Sequence, residues 1–192
     1  MPLHQMLSAT ARWVETNSNG AVAVSHDWSQ VTEKDHQRII HSLAGNATNP
    51  NLYATIFLCL GTPIEDEIIA LAKSYGKTKL IQISLTQAKS IDKLQELALK
   101  QANELVELAK SEKRVAAPYS AIVLGLECGG SDAYSGITAN PALGVASDKL
   151  VAQGGTSILG ETMEILGAEH LLAKRAITKE VGQQIIDVVA RY

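Results

Sequence analysis

Residues 122–152 read IVLGLECGGSDAYSGITANPALGVASDKLVA. The first five are apolar and suit a strand, the next dozen are mostly small or polar, and Asn140-Pro141 opens a run with helix-forming composition. Strand, glycine-rich loop and helix in that order form a rigid frame around a loop, which is where chemistry is commonly placed. Gly129, Gly130 and Gly136 leave room beside the backbone, and Cys128, Ser131, Asp132, Ser135, Thr138 and Asn140 supply polar groups.

Outward from this stretch, the same alternation recurs. Toward the N-terminus, Ser120 to Leu126 follows a long amphipathic pattern from Ser90 to Lys113, with Leu94, Leu97, Ala98, Leu105 and Leu108 near one face. Before it come KLIQIS (79–84), a helix expected from Pro63 to Tyr75, and the continuous apolar run YATIFLCL (53–60). In Gly61-Thr62-Pro63-Ile64-Glu65, Thr62 stands at the N-cap, Pro63 at the first helical position and Glu65 three residues beyond the cap. Thr32 with Asp35 precedes a helical stripe of Ile39, Ile40 and Leu43, and AVAVS (21–25) suits a further strand. Toward the C-terminus, helix is expected over 141–153, strand over 156–159, helix over 162–174, and a last helix capped by Thr178.

Five β-α steps predict an α/β fold: a doubly wound, mainly parallel five-stranded sheet with a flavodoxin- or Rossmann-like three-layer architecture. Residues 1–19 are read as an N-terminal segment with a short helix, and 20–192 as a single α/β domain.

Composition narrows the function. The 192 residues are 46% apolar and 19% charged, with a formal net charge of −3 and no basic cluster, which argues against nucleic acid as a partner. No apolar run reaches the roughly 18 residues of a bilayer span, and no signal-peptide pattern opens the chain. Cys59 and Cys128 form no paired framework, so a reduced, cytoplasmic protein is expected.

In open α/β sheets, ligands bind at the carboxyl ends of strands. Those ends would carry His26 and Asp27, Gly61 and Thr62, Ser84, the Glu127–Asp132 segment, and Gly160-Glu161-Thr162. Each has a structural alternative. Cys59 suits the core, and Cys128 can be a small strand-end residue. His26 can bond a neighbouring backbone, and Asp132 can form an Asx-turn. Asn140 can cap the helix at Pro141, and Glu161 and Glu164 can sit at a helix start for dipole reasons. Neither GxGxxG nor a Walker loop is present.

The run from Cys128 to Gly144 closely resembles the signature of the altronate/galactarate dehydratase family, which includes sulfolactate sulfo-lyase. The likeness continues through Ala146-Ser147-Asp148, Gly154-Gly155-Thr156, Ile158-Leu159, Glu161-Thr162, Glu164 and Gly167 to Leu172. It is strong over 122–192, only outlined over 21–60, and assigned by the resemblance to the family's central domain. The resemblance implies a metal-dependent hydro-lyase acting on sugar acids such as altronate or galactarate, using ferrous ion, with Mn(2+) or Mg(2+) as alternatives. It implies Cys128, Asp132 and His26 as catalytic groups and Cys128 and His26 as metal ligands. Gly129, Gly130, Ser131, Ser135, Thr138 and Asn140 would bind substrate.

Departures accompany it. His26 is followed by Asp-Trp-Ser-Gln where the family has Gly-Cys-Gly; Cys59-Leu60-Gly61-Thr62-Pro63 and Ser84-Leu85-Thr86-Gln87 replace two other family segments. The resemblance also implies a further C-terminal domain or subunit, and a homo-oligomer. Two expectations follow: a hydro-lyase domain that needs other segments, or a degenerate relative serving as a binding or assembly module. A flavodoxin-like nucleotide or flavin binder is a third, resting on fold analogy.

Overall fold

The computed structural model describes residues 1–26, 33–130 and 132–192; Thr32 and the Asp27–Gln30 departure lie outside the described residues. The chain divides into two compact units, 1–113 and 114–192.

The first unit is organised by a five-residue strand, β1 (Thr55–Cys59), which pairs in parallel with β2 (Leu80–Ser84) from Thr55↔Leu80 to Cys59↔Ser84. Successive side chains of a strand point to opposite faces, and β1 is apolar on both. Phe57 and Cys59 pack with Ile39, Ile40, Leu43, Ala44 and Ala47 of α2 (Glu33–Ala47) and with Ile68, Ile69 and Ala72 of α3 (Pro63–Ser74). Leu58 packs on the opposite side with Ala11 and Val14 of α1 (Ser8–Asn17) and Leu94, Ala98 and Ala102 of α5 (Ile91–Ser111). A short α4 (Leu85–Ala88) follows β2, with Ser84 as its N-cap.

The second unit holds β3 (Val123–Leu126) and β4 (Thr156–Leu159), again parallel, joined by α6 (Ala139–Ala152). Then come α7 (Glu169–Ala173) and α8 (Lys179–Val189), the latter capped by Thr178 as the sequence predicts. Gly182 lets α8 approach α7 closely: a Cβ there would fall 2.8 Å from the Ala173 carbonyl oxygen. The single helix expected over 162–174 is broken into a 3-10 turn (Thr162–Ile165) and α7, with Gly167 between them at φ +85°.

The five-stranded doubly wound sheet is not formed. The described residues contain four short strands in two separate two-stranded sheets, so the flavodoxin- or Rossmann-like expectation is corrected. The missing strand is AVAVS. Its backbone donors go to side chains instead of a ladder: Ala21 N–H donates to Ser18 Oγ at 3.1 Å and Ala23 N–H to Glu15 Oε1 at 3.1 Å. An N-terminal tip joins β1 in its place. Leu3 N–H donates to the Leu58 carbonyl at 2.9 Å and Leu58 N–H to the Met1 carbonyl at 3.0 Å, with a parallel bridge at Pro2. Alternating apolar residues select an extended backbone, but they do not select the partner that satisfies it.

Because Phe57 of β1 is fully buried against α2 and α3, Phe57→Ala is expected to destabilise the first unit by about 3–5 kcal/mol. Urea unfolding followed by far-ultraviolet circular dichroism measures this.

Candidate functional site

The carboxyl ends of β3 and β4 lie side by side, because the ladder ends with Leu126 opposite Leu159 and Gly160 N–H donates to the Leu126 carbonyl at 2.8 Å. Both strand exits therefore release their next residues at one edge. Cys128 comes from the first exit and Glu161 from the second, and they are bonded: Cys128 N–H donates to Glu161 Oε2 at 3.0 Å. Glu161 adopts φ +55°, ψ 71°, a left-handed conformation that costs a non-glycine residue about 1–2 kcal/mol. A charge-assisted hydrogen bond holds its carboxylate over the neighbouring strand exit. One 3-10 turn later, with Glu164 N–H donating to the Glu161 carbonyl, Glu164 joins them. The Cys128 Sγ and one carboxylate oxygen from each glutamate all lie within 4.8 Å of one another.

That spacing can be compared with an ion's requirements. Donors at about 2.0–2.3 Å from one metal stand at most about 4.6 Å apart, so small side-chain adjustments suffice. One sulfur and two carboxylate oxygens suit a first-row divalent metal; the sulfur disfavours magnesium, which prefers all-oxygen sites. The donor set fits the ion that the resemblance implies.

Of the residues given catalytic, metal-binding or substrate-binding roles from sequence, Cys128 alone enters this cluster. His26 belongs to the first unit, where its Nε2 lies 3.0 Å from the Pro2 carbonyl oxygen and its own carbonyl accepts from Ser8 Oγ. Asp132 forms an Asx-turn, Oδ1 accepting from Tyr134 N–H at 2.8 Å. Thr138 Oγ1 donates to the Tyr134 carbonyl at 2.9 Å, and Asn140 N–H donates to the Ser135 carbonyl at 2.8 Å. The helix begins at Ala139, so Thr138 stands at the cap position and the expected capping role of Asn140 is corrected. Ser131 lies outside the described residues. Gly129, Gly130 and Gly136 have no positive φ, and a Cβ on any of them would meet nothing within 4 Å. The fold gives no reason for glycine there.

Glu161 and Glu164 were named in the sequence but given no site role. Dipole stabilisation at a helix start gave each a sufficient explanation, yet both follow a strand's carboxyl end, the one position signal that pointed to them.

The comparisons with known proteins bear on this same stretch. Residues 119–192 match the family model described as D-galactarate/altronate dehydratase, C-terminal. Residues 119–192 belong to the D-galactarate/altronate dehydratase family. The matched description is of the family's C-terminal part, whereas the sequence alone pointed to its central domain. Altronate dehydratase of Bacillus subtilis (strain 168) is 36% identical over 155 residues, covering 81% of this chain and 31% of that protein. Galactarate dehydratase (L-threo-forming) of Escherichia coli (strain K12) is 48% identical over 80 residues, 42% of this chain and 15% of the relative. The (2R)-sulfolactate sulfo-lyase subunit beta of Chromohalobacter salexigens is 28% identical over 193 residues, 100% of this chain and 49% of the relative. The chain thus spans at most about half the length of these curated relatives. No solved structure matches. No helix among the described residues is long and apolar enough to cross a membrane.

The two thiols differ sharply. Cys128 is exposed, whereas Cys59 is buried, and burial first and the nearby Glu65 carboxylate second push its thiol up to about 12. Below that value Cys59 stays protonated and unreactive. At pH 8, iodoacetamide is expected to label one cysteine of the native protein, Cys128, and the second only after denaturation, as mass spectrometry of the digested chain would show. Gly129→Ala and Gly130→Ala should each leave the melting temperature unlowered, or raise it by about 1–4 °C, as expected where a Cβ enters open space and the unfolded chain loses freedom.

Proposed function

We propose that residues 114–192 supply the metal-holding part of a hydro-lyase site for a sugar acid of the altronate or galactarate type. The observation that carries this is the convergence of Cys128, Glu161 and Glu164 at two adjacent strand exits, inside the stretch matched by the dehydratase family.

Loss of water from a hydroxy acid removes the proton beside the carboxylate and expels hydroxide from the next carbon, so it needs a base, an acid and positive charge near the carboxylate. A divalent cation, ferrous by the resemblance, would supply that charge when bound. The chain's own residues do the rest of the positioning. Glu161 is oriented by Cys128 N–H, and a carboxylate oxygen of Glu161 and of Glu164 would join the Cys128 sulfur as ligands. Asp132, pinned through Oδ1 by Tyr134 N–H, presents a carboxylate of fixed direction as a proton acceptor. Thr138 already donates its hydroxyl proton, so toward a sugar hydroxyl it acts as an acceptor, while Ser135 and Asn140 retain donors. His26 belongs to the first unit and is not among the three donors that converge in the second, so the proposed ligand set does not use it.

The assembly is proposed to include a further domain or subunit. Three observations support this: the short span relative to the relatives, the printed name of one relative as a subunit beta, and the surface of the second unit. Among its described residues only Gly155, Gly182 and Val189 are buried, while Val123, Ile158, Leu159, Leu171 and Ile177 are more than half exposed. A parallel sheet ordinarily has both faces covered.

Anaerobic titration with cobalt(II), a spectroscopic substitute for ferrous ion, tests the ligand set. A saturable thiolate-to-metal absorption band is expected at one equivalent, lost in Cys128→Ser, with Glu164→Gln weakening affinity about tenfold or more. No saturable band would sink the metal reading. If metal binds but the complete assembly with ferrous ion forms no 2-keto-3-deoxy acid from a panel of aldonates and aldarates, the second reading replaces the first. That reading, a catalytically degenerate binding or assembly module, is favoured by one observation: the strand ends of the first unit are filled by their own side chains. Glu65 occupies the exit of β1, and a Cβ on Gly61 would meet Thr86 Oγ1 at 3.0 Å.

A further inference from the structure

The edge of β1 away from β2 is paired over only part of its length. Thr55 N–H donates toward β2, to the Lys79 carbonyl at 3.0 Å, so Ala54, Ile56 and Leu58 turn their backbone groups to the opposite edge. There Leu58 is paired on both groups by Met1 and Leu3, and the Ile56 carbonyl accepts from the Met1 amine at 2.7 Å. The pairing ends at that point. Among the described residues nothing accepts from Ile56 N–H, and neither backbone group of Ala54 has a partner.

A second segment flanks the same opening. Ala23 N–H reaches Glu15 and the His26 carbonyl reaches Ser8, so three residues span a helical interval of about 10 Å and the segment is extended. Ala21 and Ala23 direct their N–H groups to Ser18 and Glu15, which turns those of Val22 and Val24 the other way. These two also lack an acceptor among the described residues. Residues 20–24 and 51–56 together line a cavity of about 500 Å3, with Val14 of α1 and Ala98, Ala102 and Leu105 of α5. Next to it, one strand fills the gap between the two segments. Met1 to Leu3 bonds to Leu58 on one side, and the Pro2 carbonyl lies 3.0 Å from His26 Nε2 on the other.

A hydrocarbon would fill such a cavity but leave the backbone groups of both walls unpaired. A polypeptide strand supplies apolar side chains together with a row of donors and acceptors. We infer that this opening is a docking site for a strand of a partner polypeptide, about three residues long with small aliphatic side chains, which adds to β1 in parallel, in line with Met1 to Leu3. Glu15 is the one carboxylate among the described lining residues, and no lysine or arginine lines the cavity, so uncharged side chains fit it. The inference concerns the first unit alone and does not depend on the hydro-lyase reading.

Amide hydrogen exchange and nitrogen-15 NMR of the full chain test it, with the blocked peptide N-acetyl-Val-Ala-Val-amide as probe. In the free protein, Ile56 N–H is expected to exchange at least about tenfold faster than Leu58 N–H. The peptide should shift the Ile56 and Val24 amide resonances in a saturable way and slow exchange at Ile56. The same peptide methylated at alternate amide nitrogens should bind about tenfold more weakly, because it keeps the apolar side chains and loses ladder bonds. Slow exchange at Ile56 in the free protein overturns the inference, since that edge would already be covered by the chain or by a second copy. No saturable shift, shifts confined to β3 and β4, or equal binding of the methylated peptide overturns it too.

Discussion

The first unit depends on β1 having two apolar faces. Phe57 and Cys59 serve one helical layer and Leu58 the other, and each layer contains residues with almost no exposure, such as Ala44 and Ala72 on one side and Leu94 and Ala98 on the other. A strand so placed must have its buried backbone groups paired, since a buried orphan donor or acceptor costs about 1–3 kcal/mol. Pairing comes from β2 on one edge and, beside Leu58, from Met1 to Leu3 on the other. The buried Thr55 hydroxyl closes the account by donating to the Ala47 carbonyl at 2.7 Å, tying the start of β1 to the end of α2.

The second unit is held together by different means. It has few buried side chains, so its local order rests on backbone ladders, helix caps and close glycine contacts. Gly155 allows the backbone to pass Leu150 and Tyr119, and Ser147 Oγ donates to Ser157 Oγ at 2.8 Å to fix α6 against β4. Polar links of this kind set geometry with little help from hydrophobic burial. The candidate site thus sits on a small, precisely bonded platform.

Legibility in the sequence followed the range of the signal. Local signals were readable: Thr62, Pro63 and Glu65 announced α3, Thr178 announced α8, and the apolar run at 53–60 announced a strand covered on both faces. Pairing was not readable. AVAVS has strand composition, but Ser18 and Glu15 captured its donors, and those captures depend on how α1 is placed. The site was half legible for a related reason. Cys128 stood out by its loop, while Glu161 and Glu164 carried an adequate local explanation and gained another role only through strand pairing some thirty residues away.

The left-handed backbone at Glu161 couples two demands on a single position. Glycine would relax the main chain there but would remove the carboxylate, and aspartate would shorten its reach toward Cys128 N–H. That bond also makes the two strand exits one mechanical element: a pull on the Glu161 carboxylate is transmitted directly to the backbone at Cys128. Occupancy at the proposed cluster would therefore be felt at the root of the glycine-rich loop.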